Sequence, residues 1–159
     1  MTTAGLKCGE NDITPVISAA VYSAGNQVGG IQALTHASIE ENRITQLQTL
    51  NIIDVDNQKA AMTVLFFNQP PVVSSTDKTA FAITAANAKA QCIGQIQVLA
   101  ANYATVGSVA VATLQFTNYF TQSLTSTAGN IYAIAVTSGT PTYTTTSSLV
   151  FKYVFAQHF

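Results

Sequence analysis

Short segments rich in β-branched and aromatic residues alternate with glycine, proline and asparagine breaks along nearly the whole chain. The pattern is clearest at 149–155, LVFKYVF, where every second side chain would lie on the same face of a strand. Further strands are predicted at 12–18, 22–34, 42–55, 61–68, 95–103, 106–120 and 130–139, and the last one extends over 147–159. About eight strands at this spacing predict an all-β fold, a jelly-roll-like antiparallel β-sandwich with one short helix.

That helix is expected at Thr84–Cys92, TAANAKAQC. Alanine and lysine favour a helix there, and the Thr84 side chain is a suitable N-cap. In the second strand segment, Gly25-Asn26 indicates a turn and Gly29-Gly30 a bulge. Because no repeat or linker divides the chain, we expect a single β-sandwich domain over 12–159, preceded by a flexible N-terminal arm at 1–11.

Charged residues are scarce, and this limits the partners. Asp, Glu, Lys and Arg make up 8% of the 159 residues, and the net charge is −1. Neutral polar residues take their place, which suits either burial against a partner or the exposed strands of a β-rich protein. The six basic residues are scattered, so direct binding of nucleic acid is not expected. No apolar run approaches the roughly 18 residues of a membrane span, and no signal-peptide core is recognisable, so we expect folding in a cytoplasm.

The segment at 51–67, NIIDVDNQKAAMTVLFF, is the stretch most similar to a chemical site, because Asp54 and Asp56 alternate as in a calcium loop. An EF-hand loop needs a glycine at its sixth position and a glutamate at its twelfth, where this chain has Lys59 and a leucine. With ligands from elsewhere in the fold, the two carboxylates would still suit a hard cation. The favoured interpretation is an Asp56-Asn57 turn between two buried strands, kept solvated by Lys59.

Histidines and paired carboxylates form no recognisable catalytic set. His36 and His158 lie far apart in the sequence, and no G-x-S-x-G elbow provides a nucleophile. Glu40-Glu41, beside Arg43, precedes a predicted strand, where adjacent side chains point apart instead of converging on a sugar.

Cysteines and glycines also lack a functional spacing. Cys8 and Cys92 form no CxxC pair and are expected to be buried or free thiols. Gly25, Gly29 and Gly30 match neither a dinucleotide-binding fingerprint nor a P-loop. We therefore predict no catalytic, cofactor-binding or metal-binding residue and no enzyme activity.

Four longer motifs occur in an order that resembles a known group of proteins. DITPVISAAVYSAGNQVGGI at 12–31, IIDVDNQKAAMTVLFFNQPP at 52–71, AFAITAANAKAQCIGQIQV at 80–98 and IYAIAVTSGTPTYTTTSSLVFKYVF at 131–155 together resemble small virion proteins of tailed bacteriophages. The resemblance spans nearly the whole chain and implies a capsid cement, or decoration, protein of the short-tailed phage type. Such proteins tend to be jelly rolls bound outside the shell, often as dimers that bridge neighbouring capsomers. The resemblance transfers no catalytic residue to this sequence.

The resemblance implies a structural role, in which the protein binds the outer capsid shell and stabilises it against the pressure of packaged DNA. Its expected partners are the major capsid protein and further copies of itself, as a homodimer or a trimer, in a virion assembled in the bacterial cytoplasm. The uncharged strands and the N-terminal arm are the favoured contact regions. The alternatives are a phage tail or head-fibre component, a carbohydrate-binding jelly roll and, third, an enzyme. The carbohydrate alternative depends on tyrosines near predicted turns as sugar platforms, namely Tyr22, Tyr103, Tyr119 and Tyr143.

Overall fold

The computed structural model describes residues 6–35, 37, 44–123 and 130–158, and most of this backbone is in β-strands. The strands are β1 (Leu6–Ile13), β2 (Gln27–Leu34), β3 (Ile44–Asp54), β4 (Met62–Phe67), β5 (Cys92–Val98), β6 (Tyr103–Val106), β7 (Val109–Ser123), β8 (Ile131–Thr137) and β9 (Leu149–His158). One helix, α1 (Ala85–Gln91), precedes β5, and a 3-10 turn at Ala100–Asn102 precedes β6.

The strands form two antiparallel sheets in the order of a jelly roll. One sheet has the order β1-β9-β3-β7-β6, and the other has the order β2-β8-β4-β5. In the five-stranded sheet, β9 pairs with β1 on one side and with β3 on the other, and β3 also pairs with β7. In the four-stranded sheet, β8 pairs with β2 and with β4, and β4 also pairs with β5. With β6 added to β7 as a hairpin, this is the eight-stranded jelly-roll order. The predicted fold class is confirmed, with one strand more than the eight expected.

The core lies between the sheets and is filled by alternate side chains of each strand. From Leu149 to Phe155, side chains alternate between buried and half-buried, as the sequence predicted. The Tyr153 ring packs edge-on against Phe66 of the other sheet, with centroids 6.1 Å apart. Its hydroxyl donates to Gln32 Oε1 at 2.8 Å, so a polar bond crosses the core between the sheets.

Two local predictions are confirmed. α1 begins after Thr84, whose hydroxyl accepts the Asn87 N–H at 3.2 Å and so caps the helix. The register of β2 against β8 shifts around Gly29-Gly30, which places a bulge there. None of the helices in the described ranges has the length and hydropathy to cross a membrane.

The start of the chain differs from the prediction. Residues 6–11, which we assigned to a flexible arm, belong to β1 and pair with β9, while residues 1–5 lie outside the described part. The strand expected at 12–18 ends at Ile13. Charged residues make β1 a poor strand by sequence, but an edge strand tolerates them, and pairing with the long β9 supplies the structure.

The connection from β4 to β5 spans the width of the four-stranded sheet. It leaves β4, yet its middle bonds to β2: the Lys78 N–H donates to the Gln27 carbonyl at 2.9 Å, and the Gln27 N–H donates to the Thr79 carbonyl at 2.8 Å. α1 then returns the chain to β5. Ile134, which alternates with core residues of β8, is fully buried on the outer side of this sheet. That outer face is therefore covered around Ile134, whereas Gln97 of β5 is exposed.

Candidate functional site

The turn at 54–59, the candidate metal loop, joins β3 of one sheet to β4 of the other. Asp54 is fully buried, and its carboxylate accepts the N–H groups of Asp56 at 3.1 Å and Lys59 at 2.8 Å. Asp56 accepts the N–H and the hydroxyl of Thr144, at 2.7 and 2.6 Å. The Asn57 N–H donates to the Asp54 carbonyl at 3.2 Å, so the interpretation as a turn is confirmed, with Val55 and Asp56 at its centre instead of Asp56 and Asn57.

The two carboxyl groups are shifted in opposite directions. Burial raises the pKa of Asp54 above its usual range, although hydrogen bonds from backbone N–H groups partly offset this. At Asp56, desolvation acts to raise the pKa, but hydrogen bonds from the Ser148 and Thr144 hydroxyls and the Thr144 N–H together lower it. Ionisation of Asp54 therefore costs folding free energy, whereas the folded protein favours the ionised form of Asp56.

The other titratable candidates are mostly not described. His36, Glu40, Glu41 and Arg43 fall outside the described residues, and of His158 only the backbone, at the end of β9, is described. Within the described ranges, no three His, Cys, Asp or Glu side chains form a group that could hold a metal ion.

Three of the four tyrosines considered as sugar platforms in the carbohydrate alternative are buried, which disfavours that alternative at these rings. Tyr22, Tyr103 and Tyr143 expose at most 7% of their surface, and burial raises the pKa of each phenol. Tyr22 and Tyr143 pack edge to face, with ring centroids 5.6 Å apart. Tyr119 lies in β7, and its side chain is not described. Stacking on a sugar requires exposed ring faces, which the three buried rings do not offer.

Both cysteines are free thiols. Cys8 and Cys92 are exposed, and they lie on edge strands of different sheets, β1 and β5. We expected buried or free thiols; both cysteines are free, and neither is buried.

Asp77 is a structural centre that sequence reasoning missed. Its carboxylate accepts the Ser18 N–H and hydroxyl at 2.8 and 2.6 Å, the Tyr22 hydroxyl at 2.7 Å and the Gly29 N–H at 2.6 Å. These bonds join the β4–β5 connection to the bulge of β2 and to the loop that follows β1. The partners are 48 to 59 residues away along the chain, so no local motif marks the residue.

Among the described residues, none buries the outer face of the five-stranded sheet, and this face is mostly uncharged. We define this outer face by three rows of paired residues that run from β7 across β3 to β9: Val111–Ile53–Val150, Thr113–Asn51–Lys152 and Gln115–Thr49–Val154. None of these nine residues is buried. The alternate residues of β3, such as Leu50 and Ile52, point into the core. The face therefore combines half-buried aliphatic side chains with hydroxyl and amide groups.

One ion pair marks the edge of this face. Lys152 donates to Asp12 of β1 at 2.7 Å, and this hydrogen bond raises the pKa of the Lys152 ammonium. Glu10 of β1 is exposed beside it and is paired with Val154. The six defining residues on β3 and β7 carry no charge. Burial of such a surface avoids the large desolvation cost of ionised groups.

Comparison with known proteins adds little. No protein-family model matches the chain, and no curated protein matches it. A chain from the full particle of Israeli acute paralysis virus, heated to 63 degrees, is similar over 98% of this chain and 71% of that chain, with 10% identity and a TM-score of 0.28. A likeness at this level establishes no common fold and carries no argument about function.

Proposed function

We propose that this chain is a structural protein of a bacteriophage virion, a cement protein that binds the outside of the capsid shell and stabilises it against internal DNA pressure. In this proposal it acts without catalysis and without a cofactor. The observation that carries the proposal is the mostly uncharged outer face of the five-stranded sheet, on which none of the nine defining residues is buried. The ordered motifs that resemble phage virion proteins and the jelly-roll strand order support it.

The outer face has the chemistry of a surface that binds a partner by burial. Its row Val111–Ile53–Val150 supplies apolar area, and each square ångström buried is worth about 25 cal/mol. Hydroxyls and amides such as Thr113 and Gln115 supply hydrogen bonds without the desolvation cost of charges. A stable interface of standard size buries about 800 Å² per partner, and we propose that the major capsid protein covers this face.

The proposed mechanism is mechanical. Each copy that bridges two capsomers adds interface free energy that must be lost before the shell can expand. Many copies act in parallel, so modest individual interfaces reinforce the whole shell. A homodimer would present two such faces and would suit a two-fold position of the lattice. In the infected cell the virion would assemble in the bacterial cytoplasm.

Cryo-electron microscopy of the parent virion tests the function. We expect density for this jelly roll on the capsid exterior, across the seams between capsomers. Density on the tail or on a head fibre would support the alternative within the virion, and absence of the chain from the particle would overturn the assignment. A glycan array with and without Ca²⁺ tests the carbohydrate alternative, since a cement protein should bind no glycan.

A matched pair of variants tests the contact face. Gln115→Glu places a carboxylate on the outer face of the five-stranded sheet, and Gln97→Glu places one on β5 of the other sheet, where Gln97 is also exposed. We measure binding of each variant to purified shells that lack this protein. Gln115→Glu should bind about tenfold more weakly, because it buries an unpaired charge, and Gln97→Glu should bind like the wild type. Equal binding by both variants would show that the shell contacts another surface, even if microscopy places the protein on the capsid.

A further inference from the structure

A cleft of about 810 Å³ lies where the two sheets present the edge strands β1 and β2. Residues 13–16, at the end of β1 and just after it, form one wall, and residues 30–33 of β2 form the other. Residues 73, 75, 76 and 77 of the β4–β5 connection and Gln27 complete the lining. The cleft is distinct from the outer face proposed to contact the shell.

The backbone of β2 is only partly paired beside this cleft. β8 pairs with one side of β2. On the other side, residues 78–81 bond to the first part of the strand, and the Gly29 N–H donates to Asp77. Beyond Gly29, the part of the chain that the structure describes supplies no backbone partner for the outer side of residues 30–33. These four residues include no charged residue and no proline, two of the features that commonly keep edge strands from pairing, although the bulge at Gly29-Gly30 lies at the start of this segment.

Gln32 of β2 lines the cleft and has one buried hydrogen-bond donor that is unused among the described residues. The residue is 3% exposed, and its Oε1 accepts the Tyr153 hydroxyl. Its Nε2 is buried and has no hydrogen-bond partner among the described residues. A buried donor without an acceptor is costly, so a ligand that supplies a carbonyl oxygen there would recover that cost.

The remaining lining is apolar or already satisfied. Val16 and Ile31 expose 77% and 44% of their surface. Asp77 is the one ionisable residue in the lining, and its carboxylate already accepts four hydrogen bonds from Ser18, Tyr22 and Gly29. The cleft therefore offers no cation to an anionic ligand, and the acceptor positions that a cationic ligand would need on Asp77 are already taken.

We propose that this cleft binds an extended, uncharged peptide segment of a partner protein, which adds a strand to the open edge of β2 and places a backbone carbonyl on Gln32 Nε2. An extended strand carries the alternating N–H and C=O groups that a sheet edge can pair with, and its side chains can pack on Val16 and Ile31. An anionic segment would lose hydration without gaining a counter-charge, and a cationic segment would find the Asp77 oxygens already bonded. The inference depends on the cleft alone and not on the assignment to a virion.

The first test selects a ligand and then disturbs one wall of the cleft. Ten-residue peptides without Asp, Glu, Lys or Arg are selected from a displayed library on the full chain, and an enriched peptide is synthesised. We expect Val16→Glu to weaken its binding about tenfold. Val106→Glu, at a valine that is 60% exposed on β6, is the matched control and should leave binding unchanged. Bound peptide should also slow amide hydrogen exchange at residues 30–33.

The second test isolates the Gln32 amide. Tyr153→Phe removes the tyrosine hydroxyl and keeps the Gln32 amide. The double variant Gln32→Met with Tyr153→Phe removes both the hydroxyl and the amide, so neither is left without its partner. The double variant should bind the peptide about fivefold more weakly than Tyr153→Phe alone. Enrichment no greater than on an unrelated protein, equal binding by the Val16→Glu and Val106→Glu variants, or exchange protection away from β2 would each overturn the proposal. Protection of residues 30–33 that rises with protein concentration, without peptide, would instead assign the cleft to a second copy of this chain.

Discussion

Removal of the Asp77 carboxylate should destabilise the protein far more than its partial exposure suggests. In Asp77→Ala, the Ser18 N–H keeps another acceptor, the Tyr22 hydroxyl oxygen at 2.8 Å, and the Ser18 hydroxyl is half-buried and can turn to water. Two donors lose their acceptor in the interior: the hydroxyl of the fully buried Tyr22 and the N–H of the buried Gly29. Each buried donor without an acceptor costs about 1–3 kcal/mol.

The expected loss in the free energy of unfolding is therefore about 2–6 kcal/mol, a large part of the roughly 5–15 kcal/mol that stabilises a typical domain. Urea unfolding followed by far-ultraviolet circular dichroism measures it, with the slope of the transition as a check that both variants unfold in the same way. Asp12→Ala is the matched control, since it also removes one carboxylate but breaks only the partly exposed pair with Lys152. Its expected cost is at most about 1 kcal/mol.

The reasoning is refuted if Asp77→Ala costs less than about 1 kcal/mol or no more than Asp12→Ala. Asp77→Asn gives a graded check, because the amide retains one acceptor oxygen of the two. Its loss should fall between those of the wild type and Asp77→Ala. Equal losses for Asn and Ala would mean that the charge, and not the number of acceptors, holds the three segments together.

Two further predictions concern backbone conformation and pH. A Cβ on Gly29, at φ +71°, would lie 2.6 Å from Pro15 Cβ, so Gly29→Ala should lower the free energy of unfolding by about 2–5 kcal/mol. Gly30→Ala is the control and should be nearly neutral, because no atom lies within 4 Å of its new Cβ. Similar losses of stability for the two variants in thermal unfolding would contradict this account. Burial raises the pKa of Asp54 above its usual 3.8, so its stabilising contribution is complete below that pH and is lost as pH rises through the raised value in the folded protein. The stability of the wild type relative to Asp54→Asn should therefore fall across this range, and a pH-independent difference would refute the assignment.

Local chemistry made part of this structure predictable. The Thr84 cap of α1, the glycine bulge of β2 and the turn at 54–59 each depend on residues a few positions apart. The roles of Asp77 and Gln32 were not predictable, because their partners lie 48 to 59 and 121 residues away. The edge strand β1 was missed for a related reason, since its pairing with β9 outweighs its poor strand composition. The outer face was foreseen only as uncharged strands, because the strand order decides which residues lie side by side.

The pairing of β1 with β9 also determines when the protein can fold. Of the described strands, β1 is synthesised first, and β9, its partner in the sheet, is synthesised last. β2 must likewise wait for β8. A chain still on the ribosome thus holds open strand edges until β8 and β9 have been synthesised, and pairing over such sequence distances takes milliseconds to seconds. Folding should be completed only once β9 is available, so a chain that stops before β9 is expected to aggregate instead of forming a smaller native domain.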